Sequence, residues 1–216
     1  MRVRNVPNAV EKVAVSSCYV SDPVVMKGRW QEYFGGDKPI HIEIGSGKGQ
    51  FITNLAAQNP DIAYIAIERY ISVLTKFVKK IPEEGLKNLV VVHLDAKQLL
   101  DCFDPGEIQR IYLNFSDPWP KSKHENRRLT YQSFLDLYKI VLSDDGCIEM
   151  KTDNVGLFDY SLYSFEQAGW IVQNVTRDLH QSVWNSGNIM TEYEERFSSL
   201  GYPIHKLAVK YVPVKD

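Results

Sequence analysis

Apolar positions along the chain fall into two alternating patterns. Short, β-branched runs at 40–44, 62–67, 89–94, 110–115, 147–150 and 170–175 read as buried strands. Helical patterns lie between them at 49–58, 70–80, 130–142 and 155–168, with a short one near 96–102, and residues 204–212 alternate well enough for a terminal strand. Strands alternating with helices build βαβ crossovers, so the pattern predicts an α/β fold whose mostly parallel sheet is covered on both faces. Right-handed crossovers put the strand C-termini on one edge, and ligands of open α/β sheets bind outside that edge. The loops at 45–49, 68–69, 95–96, 116–121 and 151–154 are therefore the ones expected to carry chemistry. Gly85, the run Asp144-Asp145-Gly146 and Gly169 are expected to close helices as caps or turns. Residues 1–38, broken at Pro7, Pro23 and Gly35-Gly36, read as a helical or partly mobile preface to a core over 39–216. No linker divides the 216 residues, which predicts one domain.

Composition narrows the class. With 44% apolar and 24% charged residues the chain can bury enough surface to offset its ordering entropy, which excludes disorder. No run of about 18 apolar residues is present, so no membrane span is expected. The basic start lacks a following apolar stretch, since Glu11 and Lys12 interrupt it, so no secretory signal is expected. Three widely spaced cysteines, Cys18, Cys102 and Cys147, fit neither a disulfide framework nor a metal site, and a reducing cytoplasm is the natural compartment. A net charge of −2 argues against a protein that binds nucleic acid over its whole surface. Locally the picture changes: Lys121, Lys123, Arg127 and Arg128 crowd one eight-residue stretch that holds a single anion, Glu125.

The first of these strands runs into Glu43-Ile-Gly-Ser-Gly-Lys-Gly49. Gly45, Gly47 and Gly49, with Ser46 between, end a strand and open a helix, where backbone must turn tightly and approach a ligand closely. Acidic residues close the next two strands. Glu68, 23 positions after Gly45, is placed to accept both ribose hydroxyls, and Asp95 to accept from an adenine amino group, with Arg69 and Ala96 as their loop neighbours. A dinucleotide enzyme would carry G-x-G-x-x-G for a pyrophosphate; here the spacing is G-x-G-x-G, preceded by a carboxylate that repels phosphate and suits a cation. S-adenosyl-L-methionine, with a sulfonium, an ammonium and an adenosine but no phosphate, fits these residues.

The fourth strand leads into Ser116-Asp117-Pro-Trp-Pro-Lys121, a stiff loop with Asp117 on the active edge and a flat Trp119 face. Lys123, His124, Arg127 and Arg128 follow, a basic set beside an aromatic that suits phosphate contact and base stacking. Read structurally, the same cations are a solvated helix start. Thr191-x-x-Glu194 reads equally as a capping box that opens a last helix, and Tyr193 as core or as stacking surface. His41 and His93 are expected to be satisfied core residues; His180 sits in a loop facing the substrate side.

The run Asp117-Pro-Trp-Pro-Lys-x-x-His-x-x-Arg-Arg-Leu129 closely resembles the bacterial tRNA (guanine-N(7)-)-methyltransferase family. The resemblance extends to residues 43–49, to Lys-Thr-Asp at 151–153 and to the block at 188–195, nearly the whole chain after residue 38. It implies a Rossmann-like, three-layer αβα sandwich with a mostly parallel seven-stranded sheet and an antiparallel C-terminal strand. It implies cofactor contacts from Glu43, Glu68, Asp95 and Asp117, and substrate contacts from Lys121, Asp153, Thr191, Glu192, Tyr193 and Glu194, with residues 123–128 touching tRNA. It implies no metal. The family's target is a guanine in the variable loop of tRNA. Guanine's Watson–Crick edge offers two adjacent donors that a single carboxylate accepts in a fork, and Asp117, Asp153 and Glu194 all remain candidates. A nicotinamide oxidoreductase and a catalytically silent RNA-binding domain are the competing readings, and nothing in the sequence separates a monomer from a homodimer.

Overall fold

The computed structural model describes residues 5–81 and 85–212; the first four residues of the expected preface lie outside these. In chain order the elements are α1 (Ala9–Ala14), β1 (Tyr19–Val20), α2 (Trp30–Tyr33), β2 (Ile40–Ile44), α3 (Gln50–Gln58), β3 (Ala63–Glu68), α4 (Ile71–Phe77), β4 (Leu89–His93) and α5 (Leu99–Cys102). There follow β5 (Ile108–Asn114), α6 (Gln132–Val141), β6 (Leu142–Thr152), α7 (Val155–Gln167), β7 (Trp170–Thr176), α8 (Glu192–Ser199) and β8 (His205–Tyr211). The strands form one sheet in the order β1-β4-β3-β2-β5-β6-β8-β7, parallel except at β8, which runs antiparallel to both neighbours.

Every residue of β2 and β3 is buried, His41, Glu43 and Glu68 included, because both faces of the sheet are covered. Alternation divides them: Ile40, Ile42 and Ile44 join the core shared with α2, α5, α6 and α7, while Ala66, Val91 and Tyr112 join Phe51, Leu74 and Phe77 from α3 and α4 on the other face. The chain leaves β2 toward β3 and β4, then returns to place β5 on β2's other side. That reversal opens a crevice at the C-terminal ends of β2 and β5, the place where open α/β sheets take ligands.

Three sequence expectations change. The sheet has eight strands rather than seven, because two residues of the preface, Tyr19 and Val20, pair with Val91 and Val92. Trp30, from the same region, is fully buried and donates its indole N–H to the Cys102 carbonyl at 2.9 Å. Asp144-Asp145-Gly146 closes no helix but lies inside β6: Leu142 pairs with Ile108 and Cys147 with Arg110, so four residues stand opposite Gln109 alone. This is a bulge, which draws on the same turn-prone residues. A Cβ on Gly146 would lie 2.8 Å from the Leu142 side chain, so the bulge requires glycine. His93 is exposed rather than core, because it ends β4 where the strand meets solvent, and its Nε2 lies 3.1 Å from the Arg69 carbonyl. His41 is buried as expected; burial pushes it down to about 4, so it stays neutral beside the Tyr112 hydroxyl at 3.3 Å.

Candidate active site

The glycine loop leaves β2 with the Gly45 and Ser46 amides held by the Ile67 carbonyl at 2.8 and 3.0 Å. Gly45 has φ +80° with open space where a side chain would stand, which leaves its backbone open to a ligand. Gly49 has φ +81° and a Cβ there would collide with the Phe77 ring. Glu43 lies on the α3 face, buried, with Oε1 accepting from Asn114 Nδ2 at 2.9 Å. Its Oε2 and the Ser46 hydroxyl are buried without a partner. Burial pushes the Glu43 carboxyl up to about 8, against the opposing pull of Asn114 and the Lys151 ammonium. A buried, half-satisfied carboxyl beside open glycines suits the cationic end of a ligand.

Glu68 is also buried and its pKa is raised by burial, while Oε2 accepts the Gly47 amide at 3.1 Å and Oε1 the Tyr70 amide at 2.9 Å. It thus holds the glycine loop in place, and each oxygen keeps a lone pair for a hydroxyl. Asp95 caps the turn at 96–98 by accepting the Lys97 amide at 3.0 Å, and Arg69 Nε stands 3.9 Å from it. Ala96 is buried behind it and Arg69 is exposed. The three acidic strand ends thus line up on one edge in the order expected.

Beyond β5 the backbone is strained. Phe115 and Trp119, neither of them glycine, have φ of +50° and +41°, which flank Asp117 and turn it into solvent. Arg128 stabilises this bend: Nε donates to the Pro118 carbonyl at 3.1 Å and Nη2 to that of Trp119 at 3.0 Å, with the guanidinium 4.1 Å above the Tyr160 ring. Arg127 covers one face of Trp119 at 4.9 Å, and the His124 ring meets Trp119 edge-on. Lys121, Lys123 and Arg127 are exposed. Arg128, expected among the phosphate contacts, is therefore half-buried and committed to the loop.

The substrate half is organised by Glu194. This carboxylate is fully buried and accepts from Lys151 Nζ at 2.6 Å, Asn188 Nδ2 at 2.8 Å and His180 Nε2 at 3.1 Å. Its amide donates to the Thr191 hydroxyl at 2.9 Å, so Thr191 caps α8, but the glutamate turns inward rather than back to the cap. Fully buried and holding three donors, Glu194 is turned away from any ligand on the surface. Glu192 bridges Lys48 of the glycine loop, at 2.7 Å, and Lys80. Asp153 is half-buried and accepts from the Tyr193 hydroxyl at 3.1 Å. Of the three candidate carboxylates, Asp117 and Asp153 are the ones that reach solvent.

A methyltransferase family described as "Putative methyltransferase" matches residues 37–207. A tRNA (guanine-N(7)-)-methyltransferase of Lachnoclostridium phytofermentans is 54% identical over 207 residues, covering 96% of this chain and 97% of the relative. That of Bacillus subtilis is 50% identical, covering 98% and 99%. The chain belongs to the tRNA (guanine-N(7)-)-methyltransferase family. Among solved structures the 16S rRNA methyltransferase KamB superposes with a TM-score of 0.62 at 15% identity, covering 98% of this chain and 97% of that one. A 16S rRNA adenine-N(1)-methyltransferase with cosubstrate SAM gives 0.61, also at 15% identity, covering 91% and 94%. These two likenesses speak for the fold.

Several residues that support the candidate site carry no chemical signal of their own. Asn114, His180, Asn188 and Tyr160 act by holding Glu43, Glu194 and Arg128, and none was singled out for that work in the sequence. Lys151, the first residue of the Lys-Thr-Asp block, is buried, and burial lowers its pKa against the pull of Glu194. A cavity of about 210 Å³ opens on the same sheet face between α3 and residues 187–189, floored by Arg110, Tyr112, Asn114 and Lys151. None of the cofactor or substrate contacts expected from the sequence lines it, but the supporting Asn114, Lys151 and Asn188 do. Among the described residues no cluster of three or more His, Cys, Asp or Glu side chains could hold a metal ion, and no helix is long and apolar enough to cross a membrane.

Proposed function

We propose that this chain transfers a methyl group from S-adenosyl-L-methionine to nitrogen 7 of a guanine in the variable loop of tRNA, in the cytoplasm. The observation that carries the reading is the row of carboxylates along one sheet edge, Glu43, Glu68, Asp95 and Asp117, beside a glycine loop with two buried, unpartnered polar atoms. Glu43 faces the cationic amino-acid end, Glu68 the ribose hydroxyls, and Asp95 with Ala96 the adenine. Bound there, the cofactor supplies an electrophilic methyl on a sulfonium. No residue of this chain has to remove a proton, because nitrogen 7 of guanine presents a free lone pair. Asp117, exposed on the strained bend, holds charge beside the reaction line as positive charge passes from sulfur to the purine. Asp153 accepts the donors of the guanine edge, while Lys121, Lys123 and Arg127 meet the RNA backbone. Most of the acceleration then comes from alignment. The glycine spacing and the buried acid disfavour the nicotinamide reading.

Mass analysis of tRNA nucleosides after incubation with labelled S-adenosylmethionine tests this reading. Labelled N(7)-methylguanosine is expected; label at another position, or none, overturns it. Asp117→Asn should keep the fold and lower single-turnover rates by on the order of 100-fold. A near-normal rate removes Asp117 from the mechanism.

A further inference from the structure

The Tyr193 ring packs against two phenylalanines. Phe197 stacks on it with centroids 4.1 Å apart and planes 14° apart, and Phe115 packs against it, tilted by 41°, at 4.9 Å. The residue is 41% exposed, but Phe197 already takes one face of the ring as its stacking partner. Its hydroxyl donates to Asp153 Oδ2 at 3.1 Å. Burial and the neighbouring carboxylate push this phenol up to about 12, so it remains a donor throughout the working range. Phe115 stands at φ +50°, with its amide on the Lys151 carbonyl at 2.8 Å, two positions before Asp117. One side chain therefore touches both the bend that sets Asp117 and the carboxylate of Asp153.

We propose that Tyr193 is a positioning residue that fixes Asp153 relative to the Asp117 bend, through its hydroxyl on one side and its ring on the other, and not a stacking ligand for RNA. The inference rests on the reading that Asp117 and Asp153 face the methyl donor and the guanine. This aromatic clamp suits the work because a ring packed against two others and tied by its hydroxyl has little rotamer freedom left, and displacement of a reacting partner by about 1 Å costs on the order of 100-fold in rate.

Tyr193→Phe keeps the clamp and removes only the bond to Asp153; Tyr193→Ala removes both. Single-turnover rates and KM for tRNA should be measured for each, for Asp153→Asn, and for the Tyr193→Phe, Asp153→Asn double variant, alongside melting curves. Tyr193→Phe should lower the rate about 10-fold with KM and melting temperature unchanged, and Tyr193→Ala should lower it further. The double variant should be no slower than Asp153→Asn alone, since fixing a side chain that no longer carries the accepting charge adds nothing. A Tyr193→Phe variant at full rate, additive losses in the double variant, or a raised KM at unchanged rate in Tyr193→Ala each overturn the proposal. An Asp153→Asn variant at full rate instead removes the guanine-edge reading of Asp153, and the proposal with it.

Discussion

Glu43 shows how the environment of one residue decides its chemistry. In a solvated turn it would be ionised well below neutrality; buried, with one oxygen on Asn114 and the other unpartnered, it is pushed up to about 8. Folded, it therefore keeps a proton that the unfolded chain has already lost across the range from its ordinary value to about 8. The free protein loses stability as pH rises through that window. Binding runs the other way, because a cationic ligand that engages the carboxylate must expel the proton. Affinity for S-adenosylmethionine should then climb with pH, by up to about tenfold per unit, and level off near 8. Calorimetry at several pH values in buffers of different ionisation enthalpy reads both the affinity and the released proton. Glu43→Gln should flatten the dependence, and an unchanged slope in that variant would sink the assignment.

At the scale of elements, α8 is attached to the sheet by charge as much as by packing. Lys151 lies next to the end of β6 and Glu194 in the first turn of α8, 43 positions apart, and both side chains are almost wholly withdrawn from water. Glu194→Ala leaves the Lys151 ammonium buried without its partner, which costs about 3–5 kcal/mol. Glu194→Gln keeps the shape and should lose less. Urea unfolding of both variants measures the difference, and a change below about 1 kcal/mol in Glu194→Ala would mean the pair is not a net anchor. Pairings of this kind show why the site was only partly legible in the sequence. Strands and helices declared themselves through periodicity, and the acidic strand ends through their register with the glycine loop. Periodicity is silent about which distant side chain meets a buried acid, so Thr191 was readable as a cap while Glu194 stayed a candidate for the base edge. The two-residue β1 is too short to show a period. Positive φ at Phe115 and Trp119 is invisible where no glycine marks it.

Over the whole molecule the formal charge is −2, yet a few cations crowd the one loop proposed to meet RNA. The structure sorts these cations by what they already hold. Lys121, Lys123 and Arg127 are exposed, whereas Arg128 donates to two carbonyls of the 118–119 bend and lies over Tyr160. Three phosphate contacts predict a slope of log K against log salt near −2 to −3 for tRNA binding. Arg127→Ala should make that slope shallower by about 0.7–0.9 and leave methyl transfer at saturating tRNA close to normal. Arg128→Ala removes the charge together with the planar fork and the stacking, so if Arg128 is held by the loop its slope should hold while turnover falls with the loosened Asp117 bend. Filter binding across several salt concentrations, paired with single-turnover assays, separates the two arginines. Equal loss of slope in both variants would place Arg128 on the RNA after all. A slope unaltered by Arg127→Ala would move the RNA path away from this loop, to some other part of the edge where β2, β5 and β6 end.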